Sequence, residues 1–284
     1  MCIRDRHKED GYRYDPDYPP AIMLSPRYLR KGIRERILSN GQVKTPISEK
    51  DVKEACKIFN DEGVNTVAIS FIWSVLNPSH EDIAAKIVEE MMPDAFITIG
   101  SRLYPQIREY TRTSTAVTNA YLAPTLKSYV SAINDFFINL GGANNVRYFQ
   151  SNGGLATGKV MTDRPVYAIN SGPASAPKAG LSVADPFNYN NVITVDMGGT
   201  SFDITLTKEG NTNLNKNIDF LRYRIGVPMI QVETLGAGGG SIGRIDDIGL
   251  LQVGPQSAGA DPGPACYDKG GKKPTVSDAN LILG

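Results

Sequence analysis

An α/β fold is predicted by three features of the sequence. Residues 64–72 are apolar or β-branched at most positions, as a parallel strand covered on both faces is, and residues 192–196 form a second apolar strand. Segments with helical apolar spacing and recognisable caps alternate with such runs. An Asp-x-Gly-Gly turn then joins two strands at Asp196. The 284 residues suffice for one large or two modest domains with their own cores, so no disulfide framework or metal staple is required for folding.

The elements follow in order. Residues 1–21 are polar, with prolines and tyrosines and no apolar periodicity; no folded element is expected to start there, and Met1 need not be the natural start. Residues 22–46 place turn signals such as Asn40-Gly41 between short apolar and basic segments, the pattern of strands or a hairpin at a domain edge. Ser48 with Asp51 forms an N-cap for a helix whose inner face is Val52, Ala55, Cys56 and Phe59, and Gly63 ends it. After the strand 64–72, Asn77 caps a second helix, with Pro78 at its first position, Glu81 and Asp82 at its positive end, and Ile83 and Ile87 inward. A short strand covers 96–99. Two helices are predicted over 106–121 and 124–140, stopped by Gly141-Gly142. Residues 146–150 read as a strand ending in the turn Ser151-Asn152-Gly153-Gly154. A helix of small residues, 173–184, leads into the strand 192–196, and from Gly236 onward the chain is loop-rich and glycine-dense.

Composition narrows the function. The 30 basic and 30 acidic side chains cancel without a block of like charge, which removes the electrostatic basis for binding nucleic acid or an anionic membrane. No apolar run reaches the roughly 18–20 residues of a membrane span, and no secretory signal opens the chain. Cys2, Cys56 and Cys266 are scattered, which fits a reducing compartment, and a cytoplasmic location is expected. With only His7 and His80 available, acid–base chemistry falls to carboxylates.

The chemistry concentrates at residues 192–206. An apolar strand runs into Asp196, Gly198-Gly199 make a tight turn, and the returning strand alternates from Phe202 to Thr207. Phosphate oxygens need several converging N–H donors, which Gly198 and Gly199 can present closely, and Thr200 adds a hydroxyl. Asp196 and Asp203 can hold Mg²⁺ through water or orient an attacking group, which makes them the candidate catalytic and metal-binding residues. An ordinary glycine-turn hairpin is the bland alternative; the flanking strands, the threonine and the second aspartate favour a phosphate site. No P-loop motif exists, and a strand rather than a helix follows the turn, unlike a Rossmann fingerprint.

These residues resemble the second phosphate motif of the actin, sugar-kinase and chaperone ATPase superfamily, and residues 171–180 resemble its first connecting helix. Further stretches are similar, in the same order, to the hydantoinase A/5-oxoprolinase family: 71–81 (FIWSVLNPSHE), 105–121 (PQIREYTRTSTAVTNAY), 150–154 (QSNGG), 234–243 (TLGAGGGSIG), 257–267 (SAGADPGPACY) and 274–280. The resemblance implies an incomplete RNase H-like (actin-like ATPase) fold with three regions: an ill-defined segment 1–47, the rest of an N-terminal α/β region at 48–170, and the start of a hydantoinase A domain at 171–284. It implies ATP and Mg²⁺ as cofactors and a cyclic amide, of hydantoin or 5-oxoproline type, as substrate. A B-type subunit or fused equivalent is the implied partner. Relatives carboxylate ketones of the acetone or acetophenone type, so a carboxylase subunit is the second reading, and a kinase or non-catalytic ATPase module the third. The family's first phosphate hairpin and its downstream sequence are missing from this chain, so the resemblance implies an internal fragment inactive on its own.

Secondary candidates remain open in both directions. Gly238, Gly239 and Gly240, within residues 236–241, either lend amides to the nucleotide or form a surface loop. Asp246 and Asp247 are metal-directed or belong to a solvated turn; Asp261 and Cys266 face the substrate or are structural. Arg108, Glu109 and Arg112 reach the site or form a solvated helix face. His80 and Cys56 read as structural.

Overall fold

The computed structural model describes residues 22–142, 146–220 and 222–284. The expectation for residues 1–21, with Cys2 and His7, falls outside them. The chain divides into two compact units: one runs through Ile169 and includes Asn215–Met229, and the other holds Asn170–Leu214 and Ile230–Gly284. Helices and sheet are mixed in each, as the sequence pattern predicts.

In the first unit, β1 (Arg36–Ile37) and β2 (Val43–Thr45) form an antiparallel hairpin around Asn40-Gly41. Helix α1 (Glu49–Asp61) begins where the Ser48 side chain accepts the Asp51 amide. Arg34, 2.8 Å from Asp51, ties the preceding segment to that first turn and holds the Asp51 carboxyl well below its ordinary range. Strands β3 (Thr66–Ile69) and β4 (Phe96–Ile99) run parallel, in register from Thr66 opposite Phe96 to Ile69 opposite Ile99, and α2 (Ser79–Met91) connects them. Val52 and Cys56 from α1, Val67 and Ile69 from β3, and Ile87 and Val88 from α2 share one core. The helix begins at Ser79 with Pro78 as its N-cap, so the cap expected of Asn77 falls one residue early, although its side chain accepts the Ser79 amide at 3.1 Å.

After the single turn α3 (Gly100–Leu103), the two helices expected over 106–121 and 124–140 prove to be one, α4 (Glu109–Asn139), which passes straight through Pro124. The reason lies in packing. Arg112, Ala116, Asn119, Ala120, Ala123 and Val130 form one continuous buried stripe on both sides of the proline, while the Pro124 ring is exposed. Asn119 locks the stripe in place, donating to Thr98 at 3.0 Å and accepting the Val166 amide at 3.1 Å. Pro124→Ala should therefore raise stability. Alanine recovers about 3 kcal/mol of helix propensity against about 1 kcal/mol of lost unfolded-state restriction, a gain of roughly 2 kcal/mol that calorimetric melting would read.

The first unit closes with the antiparallel pair β5 (Arg147–Phe149) and β6 (Leu155–Thr157), the short helix α5 (Gly158–Asp163), and a hairpin of Ile218–Phe220 with Tyr223–Ile225. Val166, Ile169, Tyr223, Ile225 and Val227 make a second core there.

The second unit opens with α6 (Ser171–Ala184), followed by the antiparallel strands β7 (Val192–Met197) and β8 (Phe202–Lys208). The strand Glu233–Leu235 pairs the other edge of β8. The region expected to be loop beyond Gly236 contains a further hairpin, Ser241–Ile245 with Leu251–Ser257. Glycines at positions 243 and 254 erase the side-chain alternation that marks a strand, while the backbone ladder forms without it. Helix α7 (Val276–Leu283) ends the chain, its Thr275 and Asp278 forming a capping box.

Candidate functional site

The register of β7 with β8 sets Asp196 directly opposite Asp203 and Met197 opposite Phe202, leaving Gly198, Gly199, Thr200 and Ser201 as the turn. Directly opposed residues of an antiparallel pair point to the same face, with Cβ atoms about 5 Å apart. Two carboxylates of like charge thus stand side by side on one face. Thr234, opposite Asp203 on the neighbouring strand, donates to its Oδ1 at 2.6 Å, and the Ser201 hydroxyl reaches its Oδ2 at 3.5 Å. Asp203 is half-buried and fixed by these donors, whereas Asp196 is exposed.

Within the turn, the Gly198 amide bonds the Ser201 carbonyl at 2.9 Å. The amides of Gly199 and Thr200 have no acceptor among the described residues, and both residues are exposed. Neither Gly198 nor Gly199 has a positive φ, so unusual backbone angles are not what the turn needs from them. What they supply is room: a Cβ on Gly199 would meet nothing within 4 Å, and one on Gly198 only the Ser201 carbonyl at 3.8 Å. An anion can approach the amides through that space.

Helix α6 covers the same sheet face further from the tip. A Cβ on Gly180 would collide with the Thr194 hydroxyl, so the close crossing demands a glycine there. The small residues of residues 171–180 serve this approach.

Gly238, Gly239 and Gly240 also meet the turn, but in a different way from the one their sequence suggests. The Gly239 amide donates to Gly198 O at 3.0 Å, the Gly240 amide to Gly199 O at 2.6 Å, and the Gly238 amide to Ser241 Oγ at 2.8 Å. Their amides are thereby spent on the turn's carbonyls and their own loop, and are not directed at an anion. Helix α7 holds this loop in turn, through the Ser277 amide to Gly239 O at 2.8 Å.

Asp278 anchors that end of α7. Its carboxylate accepts from the Cys266 amide at 2.7 Å and from the Thr275 amide and hydroxyl at 2.8 Å. The Cys266 amide foremost, with the Thr275 groups, holds the carboxyl well below its ordinary range. A depressed carboxyl stabilises the fold above its unfolded value, near 3.9, and loses that contribution as pH falls through the folded value. Asp278→Asn should therefore be less stable than the parent at pH 7, with the gap narrowing below about pH 4; melting curves across pH would show it.

The remaining candidates separate cleanly. Asp246 accepts from the Leu250 amide, the Ile248 amide and Gln252, which lowers its carboxyl and makes it the tie of a hairpin turn rather than a metal ligand. Asp247 and Asp261 are exposed. Desolvation and the neighbouring Asp278 carboxylate raise the Cys266 thiol, the opposite of nucleophile activation. Cys56 is buried in the core of the first unit, and buried His80 bonds Glu35 at 2.9 Å. Among the described residues no group of three or more His, Cys, Asp or Glu could hold a metal ion. Asp196 and Asp203 still suit Mg²⁺, which keeps several waters and takes one or two protein carboxylates beside substrate phosphates.

Arg112 corrects the picture of a solvated face. Only 2% exposed, it lies inside the first unit, where burial lowers the guanidinium's pKa. The exposed neighbours Arg108 and Glu109 do face solvent. Sequence reasoning missed Thr234 altogether; its placement depends on a strand pairing 31 residues away.

Comparison with known proteins follows this geometry. Residues 5–92 match the model of the hydantoinase/oxoprolinase N-terminal region, and residues 112–284 match that of hydantoinase/oxoprolinase. The chain is 63% identical over 282 residues to the caprolactamase subunit alpha of Pseudomonas jessenii, covering 99% of this chain and 40% of that protein. The crystal structure of the ATP-dependent caprolactamase from Pseudomonas jessenii superposes with a TM-score of 0.82 over 98% of this chain and 40% of that one, at 63% identity. A nucleotide-free structure of acetone carboxylase gives a TM-score of 0.74 at 28% identity, over 94% of this chain and 38% of that one. The chain therefore spans about two fifths of the length of these relatives. It belongs to the hydantoinase/oxoprolinase family.

Proposed function

We propose that this chain is the phosphate-binding part of a subunit that uses ATP to open a cyclic amide of the hydantoin, 5-oxoproline or caprolactam class. One observation carries the reading: two adjacent unbonded amides, at Gly199 and Thr200, project from a turn flanked by the Asp196–Asp203 pair. Gly198, Gly199 and Thr200 cradle the terminal phosphates, and Gly238, Gly239 and Gly240 brace the cradle from behind. A hairpin of this kind with a small-residue helix packed on its sheet supports an RNase H-like (actin-like ATPase) core. Mg²⁺ held by Asp196 and Asp203 would neutralise charge on the phosphates.

The chemistry explains why ATP is needed. An unstrained lactam resists attack by water because its nitrogen feeds electrons into the carbonyl. When the amide oxygen attacks the γ-phosphorus, ADP departs and the ring carbon is left bearing a phosphate leaving group. Water adds to that carbon, the C–N bond breaks with the nitrogen leaving as the protonated amine, and a second water hydrolyses the resulting acyl phosphate to a carboxylate and free phosphate. The protein supplies position and a fixed field of donors, whose worth is greatest where charge develops. A second subunit or fused domain of the B type completes the enzyme, in keeping with the name of the caprolactamase relative as a subunit. A cytoplasmic location follows from ATP use and scattered cysteines; no helix among the described residues is long and apolar enough to cross a membrane.

The acetone carboxylase match supports a second reading, in which the enolate of a ketone takes the phosphoryl group. ATP consumption by the complete enzyme separates the two. Stimulation by caprolactam, hydantoin or 5-oxoproline is expected; stimulation by acetone or acetophenone alone would replace the first reading with the second.

A further inference from the structure

We propose that a rim in the first unit, made of residues 70–77 and 104–108, binds the cyclic amide, and that Arg112 and Glu81 are positioning residues that hold the rim in shape. The assignment rests on the lactam reading above. In open α/β sheets, ligands bind outside the carboxyl ends of parallel strands. Both rim segments lie there: one follows β3, and the other follows β4 and α3.

A buried charged network fastens them together. Arg112 donates to Phe71 O and to Gln106 O, each at 2.8 Å, bridging the two segments. Glu81, with no exposed surface, accepts the Phe71 amide at 2.9 Å, the Ser101 amide at 3.0 Å and the Ser101 hydroxyl at 2.5 Å. Phe71 is thus held at its N–H by a carboxylate and at its carbonyl by a guanidinium. Buried charges are a poor way to gain stability compared with apolar packing. Here they specify position. The Arg112 Nε has no hydrogen-bond partner among the described residues, which leaves one buried donor of the network unmatched there.

Strain marks the same two segments. Trp73 has φ +60° and Arg108 has φ +89°, values that side-chain-bearing residues rarely adopt. Such residues persist where their surroundings over-determine them, and they gather at ligand sites. The pinned Gln106 backbone carries three consecutive exposed side chains: Gln106, Ile107 at 62% exposure, and Arg108. An amide group with an apolar ring matches that set. Gln106 and Arg108 offer polar contacts to the amide, and Ile107 offers an apolar face to the methylenes.

The test uses the complete enzyme with its partner subunit, measuring lactam KM, kcat, ADP affinity and Tm. Gln106→Ala and Ile107→Ala, both on the surface, should raise the lactam KM about tenfold and leave ADP affinity and Tm unchanged. Arg112→Met should raise KM and lower kcat, and Arg112→Lys should recover part of both, a rescue that lost folding alone would not give. If the two surface variants keep lactam KM and kcat within twofold of the parent, the rim is not the lactam site, whatever Arg112→Met does. If no lactam stimulates the parent enzyme at all, the lactam reading fails and this inference fails with it.

Discussion

Asp196→Ala in the complete enzyme is expected to cut substrate-dependent ATP turnover about a hundredfold or more, the scale seen when one preorganised electrostatic contact to a reacting group is removed. The fold should hardly notice. Asp196 is exposed and stands opposite a like charge, a cross-strand pairing that destabilises a sheet by itself. Losing it should change stability by no more than about 0.5 kcal/mol. Asp203→Ala is the less clean variant, because it also removes the acceptor to which the Thr234 hydroxyl donates at 2.6 Å. Turnover that survives Asp196→Ala at the parent rate would remove the hairpin from the chemistry.

Gly238→Ala is expected to weaken nucleotide binding at least as clearly, without replacing any residue assigned to the phosphates. The added Cβ would fall 2.6 Å from the Thr200 amide nitrogen and 2.7 Å from the Gly199 carbonyl carbon. Those are backbone atoms of the cradle itself, so no flexible side chain can swing aside. Forcing extra volume into such a contact costs about 1–3 kcal/mol, and if the turn shifts to relieve it, ADP affinity falls about tenfold for each 1.4 kcal/mol. Gly32→Ala is the matched control, with nothing among the described residues within 4 Å of its Cβ. Titration calorimetry with ADP reads both; a Gly238→Ala protein with parental affinity would show that the glycine loop does not brace the turn.

Much of this molecule is legible in its residues. Continuous apolar runs mark β3 and β7, Ser48 announces a helix start, and the four residues between Met197 and Phe202 are enough to bring Asp196 opposite Asp203. These are local matters, settled by side-chain period and by turn length. What only the tertiary structure decides is what each face meets. Pro124 reads as a helix start, yet packing on both sides of it carries α4 through. Gly238–Gly240 look like free anion donors until their amides are seen bound to the turn's carbonyls. Arg112 reads equally as a site residue or as part of a solvated helix face, and sits buried between two loops. The physical reason is the same in each case: a sequence states which groups can bury or donate, but the partner that satisfies them comes from a distant part of the chain, and only the folded contacts determine which one it is.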